Sequence, residues 1–304
     1  MNNVSLVVLA AGMGNRFGGL KQLTGVGPNG ETLLEYGVYD AFQSGVRKVI
    51  FIVRRNFETE FRQVVINRFV DYMEVECIYQ EINDLPSSFF PPSERKRPWG
   101  TGHALLSARD ALDGPFIVIN GDDFYGRSAY AELVDFLRGD VSDENGLRLA
   151  LGGYRLRNTL SQHGTVSRGI CEVDGRTYLH SLTEHRKLRW NKTGDAVHSE
   201  EQGIDLSGEE LVSLNLFGLQ HQILAHLESD FCEFLSLNNK SLDAEFFLPE
   251  VVSRLVSNGE ATLRVLPTDE HWFGMTYAEE TEKVRQAISE RIKKGIYPER
   301  LWSL

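Results

Sequence analysis

The sequence has few cysteines and no surplus of positive charge. Its three cysteines, Cys77, Cys171 and Cys232, are far apart along the chain and odd in number. They form neither a metal-binding spacing nor a disulfide framework, so we expect a protein of the reducing cytoplasm. The formal net charge of −11 argues against nucleic acid as the main partner. An anionic substrate therefore needs a local cluster of basic side chains.

Long apolar runs are missing as well. No stretch of the 304 residues is apolar for long enough to cross a bilayer, so we expect no membrane partner. The opening residues, MNNVSLVVLAAG, lack the basic start and the length of a secretory signal, so we expect no signal peptide. None of the eight histidines shows a zinc spacing, and no serine or cysteine has an obvious neighbouring base. The sequence gives no indication of the oligomeric state.

What the sequence does contain is a glycine-rich turn directly after its first strand. Val4–Leu9 is apolar without alternation, which predicts a buried parallel strand. The loop that follows carries four glycines and two cations: Gly12, Gly14, Gly18, Gly19, Arg16 and Lys21. Glycines let backbone N–H groups turn toward an anion, and the cations add charge for phosphate oxygens. We predict a polyphosphate cradle at the carboxyl end of the first strand.

The glycine spacing separates this loop from two other phosphate-binding motifs. No Gly-Lys-Ser/Thr follows, which excludes the Walker pattern. Gly12, Gly14 and Gly18 give G-x-G-x-x-x-G, one residue longer than the dinucleotide fingerprint. The second strand ends at Val53 and continues with Arg54, so no acid is in place to hold a ribose. An NADP oxidoreductase is therefore disfavoured.

Strand and helix patterns alternate through the first half of the chain. Strands are predicted at Val4–Leu9, Lys48–Val53, Val75–Tyr79 and Pro115–Asn120, and helices at Thr32–Ser44, Phe57–Phe69 and Ser128–Leu137. Such alternation implies a parallel sheet with right-handed crossovers. After Tyr154 the strands become antiparallel in character, and Asn191–Glu209 is predicted to be a polar surface insertion. We predict an α/β fold of the Rossmann-like three-layer kind, with a mostly parallel mixed sheet and an inserted antiparallel part.

Two further stretches carry candidate chemistry. Glu81–Trp99 is long and proline-rich, which indicates a lid, a binding loop or a mobile segment. Its basic run, Arg95-Lys96-Arg97, is either an anion-binding cluster or a solvated loop. Asp122 and Asp123 follow a predicted strand, at the edge where open α/β sheets bind ligands. Their carboxylates either hold Mg²⁺ or interact with the dipole of the next helix.

The segment Leu9–Leu23 resembles the signature of the sugar-phosphate nucleotidylyltransferases, L-A-A-G-x-G-x-R-x-x-x-x-K-x-L. The matching positions are Leu9, Ala10, Ala11, Gly12, Gly14, Arg16, Lys21 and Leu23. The resemblance implies that Arg16 and Lys21 are catalytic and hold the triphosphate. It also implies that Leu9, Ala11, Gly12 and Gly14 bind the nucleotide. One nucleotidyltransferase domain over residues 1–304 is expected, with a nucleotide-binding half at 1–126 and a sugar-phosphate-binding half at 127–304.

Residues 99–104, WGTGHA, resemble the base-recognition segment of the same family, often G-T-A-x-A. By that likeness Gly100, Thr101 and Gly102 line the base. The G-T-x-H-A form is similar to members that use UTP. From the residue types alone, Thr101 is also expected to cap the helix that follows, and His103 is either a core residue or part of the site.

The metal site is implied by two family motifs, of which one is altered. Asp122 matches the metal ligand of the G-D-x motif, which implies a Mg²⁺ cofactor, and Asp123 is expected to be a hydrogen-bonding or solvated neighbour. In the W-x-D-x-G-T segment of the family an aspartate completes the metal site, whereas Gly274 stands at that position here. Either Asp269 substitutes for it, or the metal depends on Asp122, phosphates and water.

The second half of the chain resembles the family more loosely. Residues 163–166, HGTV, are similar to the Y-G-x-V sugar-site segment, which implies that Gly164 brings backbone amides to sugar hydroxyls. Glu184 matches the glutamate of the E-K-P segment, but His185 replaces its lysine. Asn215 is an amide within an apolar strand and either binds sugar or satisfies backbone groups.

The resemblance implies an enzyme that transfers a nucleotidyl group from an NTP to a sugar 1-phosphate, with Mg²⁺, and releases pyrophosphate. A phosphate nucleophile is already mostly ionised near neutral pH, so the lack of a catalytic triad fits this reaction. Two alternatives stay open. A metal-dependent glycosyltransferase would use the acids at 122 and 123. A non-catalytic sugar-nucleotide sensor would explain Gly274 and His185.

Overall fold

The computed structural model describes residues 3–11, 24–55, 58–139, 146–161, 164–274 and 280–303. Most of the glycine-rich loop lies outside the described residues, including Gly12, Gly14, Arg16 and Lys21. The roles predicted for these four residues therefore stay predictions.

Four strands of the first half form a parallel unit: β1 Ser5–Leu9, β2 Lys48–Val53, β3 Glu74–Tyr79 and β4 Phe116–Asn120. β1 lies in the middle, so that Leu9 is opposite Ile52 on one side and opposite Asn120 on the other. The apolar runs of β1, β2 and β4 are almost wholly buried, as expected for parallel strands that helices cover on both faces. The carboxyl ends of these strands lie at one edge of the sheet.

The second half continues the same sheet with mainly antiparallel strands. They are β6 Leu147–Arg155, β7 Val166–Val173, β8 Leu179–Trp190, β9 Val197–Ser199, β10 Ile204–Leu206, β11 Leu211–Leu219 and β12 Ala261–Thr268. β11 pairs antiparallel with β4 and so joins both halves into one 11-stranded sheet, while β12 runs parallel to β6. β9 and β10 lie inside the segment predicted as a surface insertion, and they extend the sheet at its edge.

Helices cover both faces of the sheet: α1 Leu33–Gln43, α2 Glu58–Val64, α3 Thr101–Ser107, α4 Arg127–Arg138, α5 Ile223–Asn238, α6 Leu248–Ser257 and α7 Glu280–Lys293. Short 3₁₀ turns lie at Ile66–Arg68, Arg109–Ala111 and Leu156–Thr159. One apolar core includes residues of α1, α2 and α4, and a second includes residues of α3, α5 and α6. This confirms the predicted three-layer α/β class. Within the described ranges, no helix is long and apolar enough to cross a bilayer.

A small second sheet fixes the loop after β4. It consists of β5 Asp123–Phe124 and β13 Phe273–Gly274, which pair antiparallel. The rings of Phe124 and Phe273 are stacked, with centroids 4.3 Å apart and planes within 3°. The guanidinium of Arg291, on α7, lies 4.8 Å from the Phe124 ring. The carboxyl-terminal part of the chain therefore packs directly on the segment that carries Asp122 and Asp123.

Candidate nucleotide and metal site

The carboxyl edge of β1 and β4 brings three of the predicted site residues together. The N–H of Gly121 donates to the carbonyl of Leu9 at 3.0 Å, so the turn after β4 starts against the end of β1. Ala11 is buried beside this point, and Asp122 is half-buried in the turn itself. Leu9, Ala11 and Asp122 therefore lie at the edge where the glycine-rich segment begins.

The turn after β4 is held by a fully buried tyrosine. The backbone N–H of Asn120 donates to the Tyr125 hydroxyl at 3.2 Å, and that hydroxyl lies 3.0 Å from the carbonyl of Leu214 on β11. The Tyr154 hydroxyl donates to the carbonyl of Tyr125 at 2.8 Å. Burial raises the pKa of Tyr125 well above its ordinary value, so the phenol stays protonated and remains a donor. These bonds connect the turn to the strand that carries Asn215.

Two polar groups of this turn contact one carboxylate oxygen of Asp123. The side-chain amide of Asn120 donates to Asp123 Oδ2 at 2.9 Å, and the Tyr125 hydroxyl lies 3.2 Å from the same oxygen. On the paired strand, Gly274 stands directly opposite Asp123. A Cβ atom at Gly274 would lie 2.6 Å from Asp123 Oδ1, which is closer than real Cβ contacts allow. The carboxylate of Asp123 thus occupies the space into which a side chain at 274 would project.

Asp269, which the sequence offered as a replacement acid, has a different environment. Its side chain is 89% exposed and lies 3.1 Å from Arg155 Nε. Arg155 also contacts Glu209 at 2.9 Å. Asp269 therefore belongs to a surface ion-pair network at the end of β12, and Asp123 is the acid that faces Gly274.

The donor set at this edge fits a magnesium ion that is shared with a substrate. Over the described ranges, no group of three or more His, Cys, Asp or Glu residues could hold a metal. Mg²⁺ needs no such cage, since it usually takes one or two carboxylates and completes its octahedron with phosphate oxygens and water. Asp122 and Asp123 offer hard carboxylate oxygens of this kind, and Oδ1 of Asp123 lies where a side chain at 274 would otherwise stand.

The predicted base segment begins α3, but its cap differs from the prediction. Gly100, with φ of 97°, is the N-cap of α3, and Thr101 is the first helical residue. The expectation that Thr101 caps its own helix is therefore wrong. The left-handed backbone at the cap suits glycine, which has no Cβ to clash. Thr101 Oγ1 instead accepts from the N–H of Leu248 at 3.0 Å and so caps the start of α6.

Gly100 and Gly102 allow a second segment to approach α3 closely. A Cβ at Gly100 would lie 2.5 Å from the carbonyl oxygen of Phe246, and one at Gly102 would lie 2.6 Å from its ring. The N–H of Gly102 donates to the carbonyl of Phe246 at 2.9 Å. Close packing against Phe246 therefore accounts for glycine at both positions. Their role in lining a base, and that of Thr101, stays a prediction.

Gln80 is a site candidate that the sequence reasoning missed. It follows β3 at the carboxyl edge and is buried. Its side-chain amide donates to the carbonyl of Gly100 at 2.9 Å and lies 3.2 Å from His103 Nδ1. A buried amide directly after a parallel strand was the available signal, since such groups need partners.

His103 is a core residue of α3 rather than a ligand of the site. Its ring stacks on Phe231 at 4.9 Å, and Nε2 lies 2.8 Å from the carbonyl of Asp84. Burial lowers the pKa of His103, which favours the neutral ring. Its partners assign the tautomer: Nδ1 accepts from Gln80 and Nε2–H donates to the carbonyl of Asp84.

The proline-rich loop is fixed by an arginine. Arg95 is buried, and its guanidinium lies 3.4 Å from the Trp99 ring centroid. It donates to four backbone carbonyls: those of Arg97, Pro98, Ser241 and Ala244. Arg97 pairs with Glu245 at 3.0 Å. Arg95 therefore stabilises the loop from inside, and the interpretation of the run as an anion-binding cluster is wrong for this residue.

The three predicted sugar-phosphate residues lie on or just before neighbouring strands of the second half. Gly164 precedes β7, and a Cβ there would meet no atom within 4 Å. Glu184 on β8 is exposed and lies 2.9 Å from Arg186. Asn215 has φ of 62° and lies in the β11 bulge between Ser213 and Phe217. The register aligns Ser213, Gly169 and Glu184 across three strands, so Glu184 is separated from the bulge by one strand.

His185, which replaces a lysine of the family motif, is buried, and its Nδ1 has no hydrogen-bond partner in the described part of the chain. Its cross-strand neighbour on β7 is Arg168, which stands directly opposite. The Arg168 guanidinium lies 4.5 Å from the centroid of the Trp272 ring. That ring packs next to Gly274, since a Cβ placed at 274 would lie 3.0 Å from it. A cation is therefore present next to His185, on the Trp272 side of Gly274.

No protein-family model and no curated protein matches this chain. Solved structures do match it. An inositol-1-phosphate CTP transferase from T. maritima aligns with a TM-score of 0.60 and 14% identity, over 95% of this chain and 98% of the other. A UDP-glucose pyrophosphorylase complexed with UDP-glucose gives 0.58 and 13%, over 95% and 99%. A protein assigned as a glucose-1-phosphate thymidylyltransferase from Bacillus anthracis gives 0.60 and 12%, over 93% and 94%.

At these identities the comparisons show the fold. The chain has the fold of sugar-phosphate nucleotidyltransferases along nearly its whole length, and the resemblance found in the sequence is confirmed at that level.

Proposed function

We propose that the protein transfers a nucleotidyl group from a nucleoside triphosphate to a sugar 1-phosphate, and that the products are an NDP-sugar and pyrophosphate. The observation that carries this proposal is the contact between the turn that bears Asp122 and the segment that matches the family signature. The turn bearing Asp122 begins against the end of β1, where the signature segment starts, through the Gly121 to Leu9 hydrogen bond at 3.0 Å. The titles of the structural neighbours name activities of this class.

In this reaction a phosphate oxygen of the acceptor attacks the α-phosphorus, and the bond to the β-phosphate breaks. The attacking group has a second pKa of about 6, so it needs no general base near neutral pH. The protein must instead position the two anions and stabilise the charge that develops. Mg²⁺, when bound, would neutralise phosphate charge and orient the α-phosphate. Asp122 would hold it, and Arg16 and Lys21 would bind the triphosphate.

The two ends of the site have separate roles in the proposal. Gly100, Thr101 and Gly102 would line the base, together with the amide of Gln80, and the G-T-x-H-A form of this segment favours UTP. Gly164, Glu184 and Asn215 would bind the sugar phosphate. The bulge that holds Asn215 contacts the turn after β4 through the Tyr125 hydroxyl and the Leu214 carbonyl, so the proposed sugar end adjoins the turn that carries Asp122.

A substrate screen tests the proposal directly. Purified protein would be incubated with Mg²⁺, each of several NTPs and a set of sugar 1-phosphates, and pyrophosphate release would be measured. We expect one pairing to react, with UTP preferred. Release of NDP from an NDP-sugar would instead identify a glycosyltransferase. Tight NDP-sugar binding without turnover of any pairing would identify a sensor.

The role of Lys21 has its own test. Removing its positive charge should lower kcat by ~100-fold or more, because the charge is needed where the pyrophosphate leaves. The matched control is Lys96→Ala, which removes an exposed lysine from the proline-rich loop and should leave kcat unchanged. Near-normal turnover in Lys21→Ala would reject the assigned role.

A further inference from the structure

We infer that Asp123 supplies the second carboxylate of the divalent-cation site in this chain, next to Asp122, and that Gly274 is glycine to make room for it. The inference rests on the proposed function, because a nucleoside triphosphate is bound and turned over with its cation. It concerns an acid that the sequence resemblance leaves without a role, and a glycine found where that resemblance implies an acid.

The pairing of β5 with β13 places both residues over the same space. Asp123 and Gly274 are direct partners in the antiparallel ladder. Side chains of directly opposed residues project to the same face, with Cβ atoms about 5 Å apart. A carboxylate carried by either position can therefore reach the same point, although each would arrive from the opposite strand.

The orientation of Asp123 supports this assignment. Asn120 donates to Oδ2 at 2.9 Å, and the Tyr125 hydroxyl lies 3.2 Å from the same oxygen. Both groups therefore contact the carboxylate on its Oδ2 side. Oδ1 is then directed to the Gly274 position, 2.6 Å from where a Cβ would stand. A carboxylate held in this way is already ordered before a cation arrives, as metal ligands usually are through hydrogen bonds to neighbouring groups.

The register that creates this arrangement is well fixed. The next pair along the ladder is Phe124 with Phe273, whose rings stack at 4.3 Å. Arg291 lies 5.2 Å from the Phe273 ring and 4.8 Å from the Phe124 ring. A shift by one residue would break both contacts, so Asp123 stays opposite Gly274.

The two positions accept only one acid between them. An aspartate at 274 would bring its Cβ against Asp123 Oδ1 and would place two carboxylates in contact, which is unfavourable for both charge and packing. An acid at 123 with glycine at 274 is therefore a complete arrangement. Moving the acid to 274 should require removal of the side chain at 123, because asparagine there would have the same bulk as aspartate.

This exclusion gives a charge-exchange experiment with Mn²⁺ as the probe. Mn²⁺ binding to the full-length protein would be measured by water-proton relaxation for the wild type, Asp123→Asn, Gly274→Asp and the double variant Asp123→Ala with Gly274→Asp. We expect Asp123→Asn to weaken Mn²⁺ binding by about tenfold or more. The exchanged double variant should recover to within about threefold of the wild type.

The matched control is Asp123→Ala with Gly274→Asn, which has the same bulk as the exchanged variant but no charge at either position and should stay weak. Melting temperatures would show that each variant is folded, and Asp123→Asn alone keeps the test valid if Gly274→Asp does not fold. Wild-type Mn²⁺ affinity in Asp123→Asn overturns the inference. So does an exchanged variant that binds no better than the uncharged control.

Asp122→Asn separates failure of this inference from failure of the proposed function. If Asp122→Asn loses Mn²⁺ binding and Asp123→Asn does not, only the role of Asp123 is refuted. If neither change affects binding, the cation site at this edge is refuted, and the pyrophosphate screen decides independently whether the protein transfers nucleotides.

Discussion

The buried carboxyl group of Glu35 predicts an unusual dependence of stability on pH. Glu35 lies in the first turn of α1, where it forms a capping box with Thr32 and accepts from the Thr32 N–H at 2.6 Å. Burial raises the pKa of Glu35 to about 7, against the smaller opposing effects of Thr32 and Arg68. The folded protein therefore keeps this proton between pH 4.5 and 7, whereas the unfolded chain releases it. Stability must fall as the pH rises through that window, because the folded state binds more protons than the unfolded state.

The size of the effect follows from the two pKa values. With 1.36 kcal/mol per pKa unit, the shift from 4.5 to about 7 lowers the free energy of unfolding by up to about 3 kcal/mol above pH 7. Glu35→Gln keeps an acceptor for Thr32 and has no charge to bury. Relative to the wild type, it should gain about 2.5 kcal/mol more at pH 8 than at pH 5.

Urea denaturation of both proteins at pH 5 and pH 8 measures this difference. Glu60→Gln, which removes a carboxylate from the exposed side of α2, is the matched control and should change the difference by less than about 0.5 kcal/mol. A Glu35→Gln variant whose stability relative to the wild type is the same at both pH values would refute the account of a buried, protonated Glu35.

Two further predictions concern the frame of the base segment. Gly100→Ala should lower the free energy of unfolding by at least about 2 kcal/mol, because alanine is strained at a φ of 97° and its Cβ would meet the Phe246 carbonyl. Thermal melting measures this loss. The control is Gly164→Ala, where the added Cβ meets no atom. Arg95→Lys should lower the free energy of unfolding by about 2–4 kcal/mol, since an ammonium cannot reach all four carbonyls. A melting temperature equal to that of Lys96→Arg would contradict this prediction.

Local sequence patterns predicted the elements whose residues interact mainly with near neighbours along the chain. Lys48–Val53 has the bounds that its apolar run indicated. The predicted start of the first helix at Thr32 agrees with its capping box, in which Thr32 and Glu35 satisfy each other's backbone groups. In these cases the hydrophobic run or the cap is complete within one short segment, so the sequence contains the whole signal.

The residues that were misjudged have partners far along the chain. Thr101 was expected to cap α3, but its hydroxyl accepts from Leu248, 147 positions later. Arg95 was expected to be part of either an anion-binding cluster or a solvated loop, but its partners include carbonyls of Ser241 and Ala244. β9 and β10 are three residues each and lie in a polar segment, so they have no apolar run to reveal them. Propensity and periodicity carry no information about such distant pairings.

The same limit explains why the altered metal motif could not be interpreted before the strands were paired. Taken alone, Gly274 is a lost acid, and Asp123 is an extra one beside Asp122. The ladder between β5 and β13 makes them a single unit, because each residue determines what the other can be. A motif alignment compares one position at a time, so it registers Gly274 as a missing aspartate. The inferred cation site requires only that one carboxylate lie at that point in space, whichever strand carries it. Loss of a motif residue is therefore weak grounds for calling this chain inactive when its cross-strand partner carries the same chemical group.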